Sequence, residues 1–451
     1  MLFKSTSELR LRSVNSKIFA AIITVGTFSI IVKLFSTFQH LVMAYRFGTS
    51  DALDAFLIAF SIPSLAINIV TGSLNAAFMP TYIQVLDHDG KESAFQLFSN
   101  MTIVSTLLVL FLITILVFTI PHVLPILCPG FNDEKIKLTR SLFFLLLPIV
   151  LFSGLSSIYV SVLNARELFV LAALAPVAIP AVTLLFLVIL APRLGIFALV
   201  YGVIAGFVME TILLILGLMR RKYPLRWHWY GFNSNLRQVL KQLLPMAGGA
   251  LLMSSTDIID KMMAAMLSPG SVSSLSYGNK IVGFFLGTGA FAIGTAVFPH
   301  FSKMISMNQW DNVHNTLKTY GYLICMISIP LTAAIFFYST PIVAFLFERG
   351  AFETANTQVV GRVQSYYVLQ IPFYFLGILG VKLISAFKKN HFLLVISGIN
   401  LILNVVGNLV FMRYLGVAGI SLSTSVVYAI AMAMIYLSVI KQLKIHGKTI
   451  H

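Results

Sequence analysis

Nine ionisable side chains fall where water is scarce. Lys33, Lys261, Lys280, Arg362 and Lys382 are basic, Asp54, Glu210, Asp257 and Asp260 are acidic, and each lies in or at the edge of a long apolar run. A charge at the middle of a bilayer-spanning helix costs at least about 2.5 kcal/mol, so such a residue faces a cavity or a partner. The chemistry on offer is binding and movement of charge. The sequence holds no P-loop, no HExxH and no nucleophile elbow, so neither nucleotide hydrolysis nor metal-assisted or nucleophilic catalysis is expected. Cys128 and Cys325 lack metal-ligand spacing and read as apolar packing. No cofactor or metal is called for, and the chain reads as a transporter rather than an enzyme.

Lys33 and Lys280 are the strongest candidates for lining a cavity. Lys33 lies midway through its run, beyond easy snorkelling, and a seven-residue step leads to His40 on nearly the same helix face. Structural pairing with a buried acid is the alternative for both lysines. Asp257 and Lys261 are spaced i,i+4, which fits a local pair. Arg362 and Lys261 lie nearer run ends, where a snorkelled or interfacial charge is equally expected. Glu210, Asp257 and Asp260 are candidates for ion coupling, with pairing inside the bundle as the other reading of Glu210. Asp54 and Lys382 are assigned gating or structural roles. A cationic cavity suits an anionic substrate, because Coulomb attraction strengthens as water is excluded; pyrophosphate on a lipid carrier is one such anion.

These residues have to be positioned by membrane helices. Hydrophobic residues make up 58% of the chain and charged ones 10%, against roughly 25% charged in a soluble domain. Apolar runs of about twenty residues follow one another, as successive spanning helices do. Spans are expected near 18–45, 53–79, 101–127, 141–163, 169–191, 196–219, 243–266, 275–300, 320–347, 362–386, 391–412 and 416–440. The net charge of +16 is scattered through short loops without interleaved stacking aromatics, which excludes a nucleic-acid groove. With a cytoplasmic N-terminus, nineteen Lys or Arg fall in inside segments and seven outside. The bias predicts that both termini are cytoplasmic. The basic N-terminal stretch precedes an apolar run too long for a signal peptide, so it is expected to be retained.

The chain reads as two copies of one unit. Pro121 and Gly130 recur as Pro341 and Gly350 at an offset of 220, Pro80 as Pro299 at 219, and Leu194-Gly195-Ile196 as Leu415-Gly416-Val417 at 221. Six spans per copy make parallel repeats about an axis along the membrane normal. The expected fold is therefore an all-α polytopic membrane protein of about twelve helices in two six-helix lobes. The divisions are 1–219, a cytoplasmic interfacial linker at 220–242, and 243–451. The linker carries Tyr223, Trp227, Trp229 and Tyr230, suited to headgroup depth.

The run FGTSDALDAFLIAFSIPSLAINIVTGSLNAAFMPTY, Phe47 to Tyr82, resembles the second-helix signature of the MurJ/MviN lipid II flippases, within the multidrug/oligosaccharidyl-lipid/polysaccharide exporter superfamily. LNARELFVLAALAPV, APRLGIFALVYGV, LSPGSVSSLSYGNKIVGFFLGTGAFAIGTAVFPHFSK and LFERGAFETANT are similar to later family patterns in the same order. Lys33 matches a family arginine, Asp54 the aspartate of a DAF signature, and Lys280 the arginine of an Asp-Arg pair. Asn279 stands at the aspartate of that pair, Gln39 at a second first-helix arginine, and Ile67-Asn68 where the family often has Arg-Arg. The resemblance implies that Lys33, Lys280, Asn279 and Gln39 bind substrate. It also implies a bacterial inner-membrane flippase that carries an undecaprenyl-pyrophosphate-linked cell-wall precursor by alternating access. The partners it implies are a polyprenyl-linked saccharide lipid, membrane lipids, and cell-wall or polysaccharide polymerases. A flippase for an exopolysaccharide or O-antigen unit would keep the same architecture. A cation-coupled drug exporter would favour acidic cavity residues instead.

Overall fold

The computed structural model describes residues 26–221, 223, 227–387 and 389–447. Its N-terminal segment before residue 26, its last four residues, and Lys222, Arg226 and Lys388 of the inside charge count lie outside the described residues.

Among the described residues the secondary structure is helical throughout. In a bilayer every backbone N–H and C=O must find its partner within the helix itself, which is why runs of this apolarity fold this way. The elements are α1 (Gly26–Phe47), α2 (Asp51–His88), α3 (Gly90–Leu127), α4 (Asp133–Leu146), α5 (Pro148–Ala165), α6 (Phe169–Leu174), α7 (Ala178–Ile189), α8 (Ala191–Leu194) and α9 (Ile196–Arg220). The second half holds α10 (Ser234–Ala264), α11 (Ser271–Ser306), α12 (Trp310–Phe347), α13 (Thr354–Val368), α14 (Gln370–Ala386), α15 (His391–Leu415) and α16 (Val417–Gly447). Eleven helical stretches among the described residues are long and apolar enough to cross a membrane. The twelfth expected span is α10. Its 31 residues reach about 46 Å, but Arg237, Lys241, Asp257, Asp260 and Lys261 dilute its apolarity.

The repeat seen in the sequence recurs in the backbone. The fourth span of each half is broken, at Leu147 before Pro148 and at Leu369 before Gln370. Gly195 and Gly416, at φ 55° and 59° with ψ −134° and −139°, turn the chain into the last span of each half. Only glycine adopts that conformation without strain. The halves differ in the fifth span, which Pro176 interrupts with a short 3₁₀ turn in the first half while α15 runs unbroken. Pro176 and Pro180 each remove an intrahelical donor.

The chain divides into two compact units that do not coincide with the expected lobes. One comprises 1–46, 59–124 and 137–251, the other 47–58, 125–136 and 252–451. The boundary falls inside α10 because that helix continues through the expected linker, which shrinks to the segment between Arg220 and Ser234. The first unit's core gathers Phe78, Tyr82, Phe98, Tyr159 and Leu214. The second unit's core gathers Phe301, Ile324, Leu383 and Val439. Outward faces are also apolar, as at Phe118 and Ile126, in keeping with lipid as the solvent.

The remaining linker is strapped to α3 within the first unit. Ser99 Oγ donates to the His228 carbonyl (2.7 Å) and accepts from His228 N–H (3.0 Å). Asn100 Nδ2 donates to the Gly231 carbonyl (2.9 Å) and its Oδ1 accepts from Tyr230 N–H (2.8 Å). This extended segment turns Tyr230 onto Phe95 and leaves Trp227 and Trp229 exposed.

Candidate substrate site and its surroundings

Within the second unit, α10, α11 and α13 line a cavity of about 310 Å³ that includes Asp257, Lys261, Ser276, Asn279, Lys280 and Tyr367. Asp257 Oδ2 accepts a hydrogen bond from Lys261 Nζ at 2.7 Å, the i,i+4 pair. That pair is neutral in sum. Lys280 is half-buried, and among the described residues no carboxylate lies within ion-pair distance of it. The cavity thus offers one uncompensated cation beside an amide, a hydroxyl and a phenol. An anion with several acceptor oxygens fits that set, with Lys280 supplying charge and Asn279 and Ser276 supplying neutral donors.

Asp260, one helical turn from Asp257, points elsewhere. It is 5% exposed, and its Oδ1 accepts from Asn404 Nδ2 (3.0 Å) and Asn408 Nδ2 (2.7 Å) while Oδ2 accepts from Thr424 Oγ1 (3.2 Å). A buried carboxylate surrounded by neutral dipoles, with no cation paired to it among the described residues, is an unusual arrangement in a bilayer. Rotating either amide about its last bond would turn an oxygen toward Asp260. The same side chains could then surround a monovalent cation.

Asp54 sits at the start of α11. Helix α11 has Gly270 at its N-cap with φ +82°, so the cap residue has no side chain to offer the first-turn amides. Asp54 replaces it: Oδ2 accepts from Gly270 N–H and Oδ1 from Ser273 N–H, both at 2.8 Å. A Cβ at Gly270 would lie 2.6 Å from the Thr49 carbonyl oxygen, so the close approach also requires glycine. Lys135 completes the group. Its Nζ bonds Asp51 and Asp54 (3.2 Å to Asp54 Oδ2) and lies 4.0 Å from the Phe131 ring centroid. Thr49 Oγ1 donates to Asn356 Oδ1 at 2.7 Å nearby. All of these residues belong to the second unit, and these bonds explain why 47–58 and 125–136 cluster with the second half of the chain. Beneath the group, burial pushes the Cys128 thiol up to about 12, so it is inert packing.

The other candidates lie apart. Lys382, on α14, fills the space left by Gly294 on α11, with its Cε 3.0 Å from where a Cβ would stand, and its Nζ lies 5.9 Å from the Phe298 ring centroid. Lys33 and Gln39 are half-buried on α1 in the first unit. Glu210 is buried on α9, also in the first unit, and no described residue hydrogen-bonds or pairs with it. Arg362 is exposed.

Three features escaped the sequence reading. Lys135 counts there as an outside-loop cation, yet it is 8% exposed; nothing in its local sequence marks it. Ser273 and Gly270 contribute through backbone amides, which no residue type reveals. Asn404 and Asn408 did leave a signal, since amides repeating every four residues inside an apolar run imply a polar face that needs partners.

The family model described as Lipid II flippase MurJ matches residues 43–451. The Burkholderia cenocepacia protein named Lipid II flippase MurJ is 25% identical over 94% of this chain and 84% of its own length. Probable lipid II flippases MurJ of Buchnera aphidicola subsp. Schizaphis graminum and Rhizobium meliloti are each 26% identical, covering 93% and 88% of this chain and 82% and 76% of their own lengths. Among solved structures, one of Lipid II flippase MurJ in an inward closed conformation superposes with a TM-score of 0.80 at 23% identity, over 93% of this chain and 89% of that one. An inward-facing multidrug resistance MATE family transporter of the MOP superfamily gives 0.78 at 13% identity, over 95% and 99%. At those identities the two structures establish the shared fold.

Proposed function

The chain belongs to the lipid II flippase MurJ family, and on that premise we propose that it carries a polyprenyl-pyrophosphate-linked cell-wall saccharide from the inner to the outer leaflet of the bacterial inner membrane by alternating access. The observation that carries this reading is the uncompensated Lys280 in the second unit's cavity. A pyrophosphate diester is anionic and rich in acceptor oxygens, whereas an organic cation would be repelled there. Lys33 and Gln39, within the first unit, are further proposed substrate contacts, and the lipid tail stays in the bilayer. Polymerases that consume the precursor on the outer face are the partners this reading implies.

The sequence offers no nucleotide-hydrolysis motif, so transport draws on a gradient. Asp260 is the favoured coupling site, since its buried carboxylate can take a proton, or a sodium ion once the Asn404 and Asn408 amides turn their oxygens toward it; Glu210 is a second site in the first unit, and Asp257 is committed to Lys261. The experiment is reconstitution into liposomes with a lipid-linked pyrophosphoryl saccharide in one leaflet and a sodium or proton gradient imposed. Flipping should accelerate with one of the gradients, and Asp260→Asn should abolish the acceleration. Indifference to both gradients and to the substitution would remove Asp260 from the mechanism. Export of an organic cation with no movement of the saccharide lipid would overturn the function itself.

The charge bias supports cytoplasmic termini, with the turn between α2 and α3 inside and the start of α4 outside. Lys91 and Lys137 are exposed and serve as reporters. A membrane-impermeant thiol reagent applied to intact cells should label Lys137→Cys and spare Lys91→Cys; the opposite pattern would invert the topology.

A further inference from the structure

Asp54 sits on α2 and its two capped amides on α11, and Lys135, on α4, is the cation that meets this carboxylate. These three bonds are of two kinds. The amides are fixed to α11, the helix that carries Asn279 and Lys280 to the cavity about 15 Å further along. Lys135 is fixed to the same half of the chain as Asp54. If α11 and α2 part during transport, the amide bonds break and the Lys135 bond travels with Asp54. Asp54 is 1% exposed with α11 in place, and a carboxylate stripped of both amides and left without a cation would be a costly intermediate while the site stays closed to water. Lys135 is itself buried, shielded by Phe131 and shared with the exposed Asp51, so it is placed by packing.

We propose that Lys135 is a positioning residue for transport: it aims the Asp54 carboxylate at the α11 N-terminus and remains its counter-ion when the helix is released. The proposal rests on alternating access as given under Proposed function. It predicts that Lys135 controls how often this end of α11 is held, and that charge, more than shape, is what the position needs.

The test uses the full chain in liposomes, with Cys128→Ala and Cys325→Ala, and adds the pair Thr49→Cys and Asn356→Cys, whose native side chains are hydrogen-bonded. The rate of oxidative cross-linking reports the held state, and flipping of the saccharide lipid is measured on the same preparation without cross-linking. Lys135→Met should slow both about tenfold, the ratio carried by one charge-assisted hydrogen bond, and Lys135→Arg should stay near the parent rates. Should Lys135→Met not fold, Asp51→Lys places a like charge beside Lys135 at an exposed position and should slow cross-linking too. Parent-like rates in Lys135→Met, or in Asp51→Lys where Lys135→Met does not fold, would overturn the proposal. So would equal losses in Lys135→Arg and Lys135→Met, which a packing role alone would give. If the parent protein moves no saccharide lipid, the transport reading fails on its own, while the dependence of cross-linking on Lys135 still decides whether it positions Asp54.

Discussion

Lys280→Gln is expected to reduce flipping of a lipid-linked pyrophosphoryl saccharide by about tenfold to a hundredfold while leaving the fold intact. The magnitude follows from losing hydrogen bonds to a charged group, worth about 1.5–3 kcal/mol, at about 1.4 kcal/mol per factor of ten. The fold should survive because no carboxylate among the described residues pairs with Lys280 and would be stranded; the nearby Asp257 already has Lys261. This separates substrate binding from structural pairing, for which neutralisation would leave a buried acid alone and lower the melting temperature. Lys280→Arg should recover most of the rate, since charge is kept and a guanidinium can grip phosphate with two donors. Rates are measured in proteoliposomes and melting temperatures on the same samples. A stable Lys280→Gln protein that flips at the parent rate would show that the cavity cation does not meet the substrate.

Asp54→Asn should do the opposite, costing stability and transport together. The carboxylate accepts from two first-turn amides of α11 and from Lys135. An asparagine side chain has one acceptor oxygen, so it can serve one amide while its NH₂ confronts the other, and Lys135 keeps Asp51 as its one anionic partner among the described residues. Loss of a helix cap is worth about 0.5–2 kcal/mol, and removal of one partner from a buried ion pair about 3–5 kcal/mol. The sum predicts a clear fall in melting temperature and in folded yield. Flipping per folded molecule should fall as well, because α11 carries Asn279 and Lys280 and its N-terminal end would be held less firmly. Unchanged melting behaviour with transport abolished would mean that Asp54 acts on the substrate or a proton directly, and that its capping bonds are energetically idle.

Lys280 and Asp54 differ in role but share one mark in the sequence. Both stand out because a charge in an apolar run is expensive, and that cost is a property of residue type and position alone. It cannot say which charges share a site. Asp257 and Asp260 are three residues apart on α10, yet one closes a local pair at the cavity and the other is buried among Asn404, Asn408 and Thr424. The i,i+4 pair was legible because both members ride one helix. The partners of Asp260 lie some 144 to 164 residues away, a separation that only tertiary packing closes.

What the chain determines by itself is the membrane architecture: the apolar runs and their spacing, the doubled landmarks at Pro80 and Pro299 and at Gly195 and Gly416, and the family pattern that runs through them. Each of these is written in local composition or in a fixed offset, because helix formation in lipid is satisfied within each segment. The tertiary structure alone decided that residues 47–58 and 125–136 pack with the second half of the chain, that Lys135 is buried, and that Asp54 caps a helix whose own cap is a glycine. Those outcomes depend on backbone amides and on contacts between distant segments, which carry no signature in residue type.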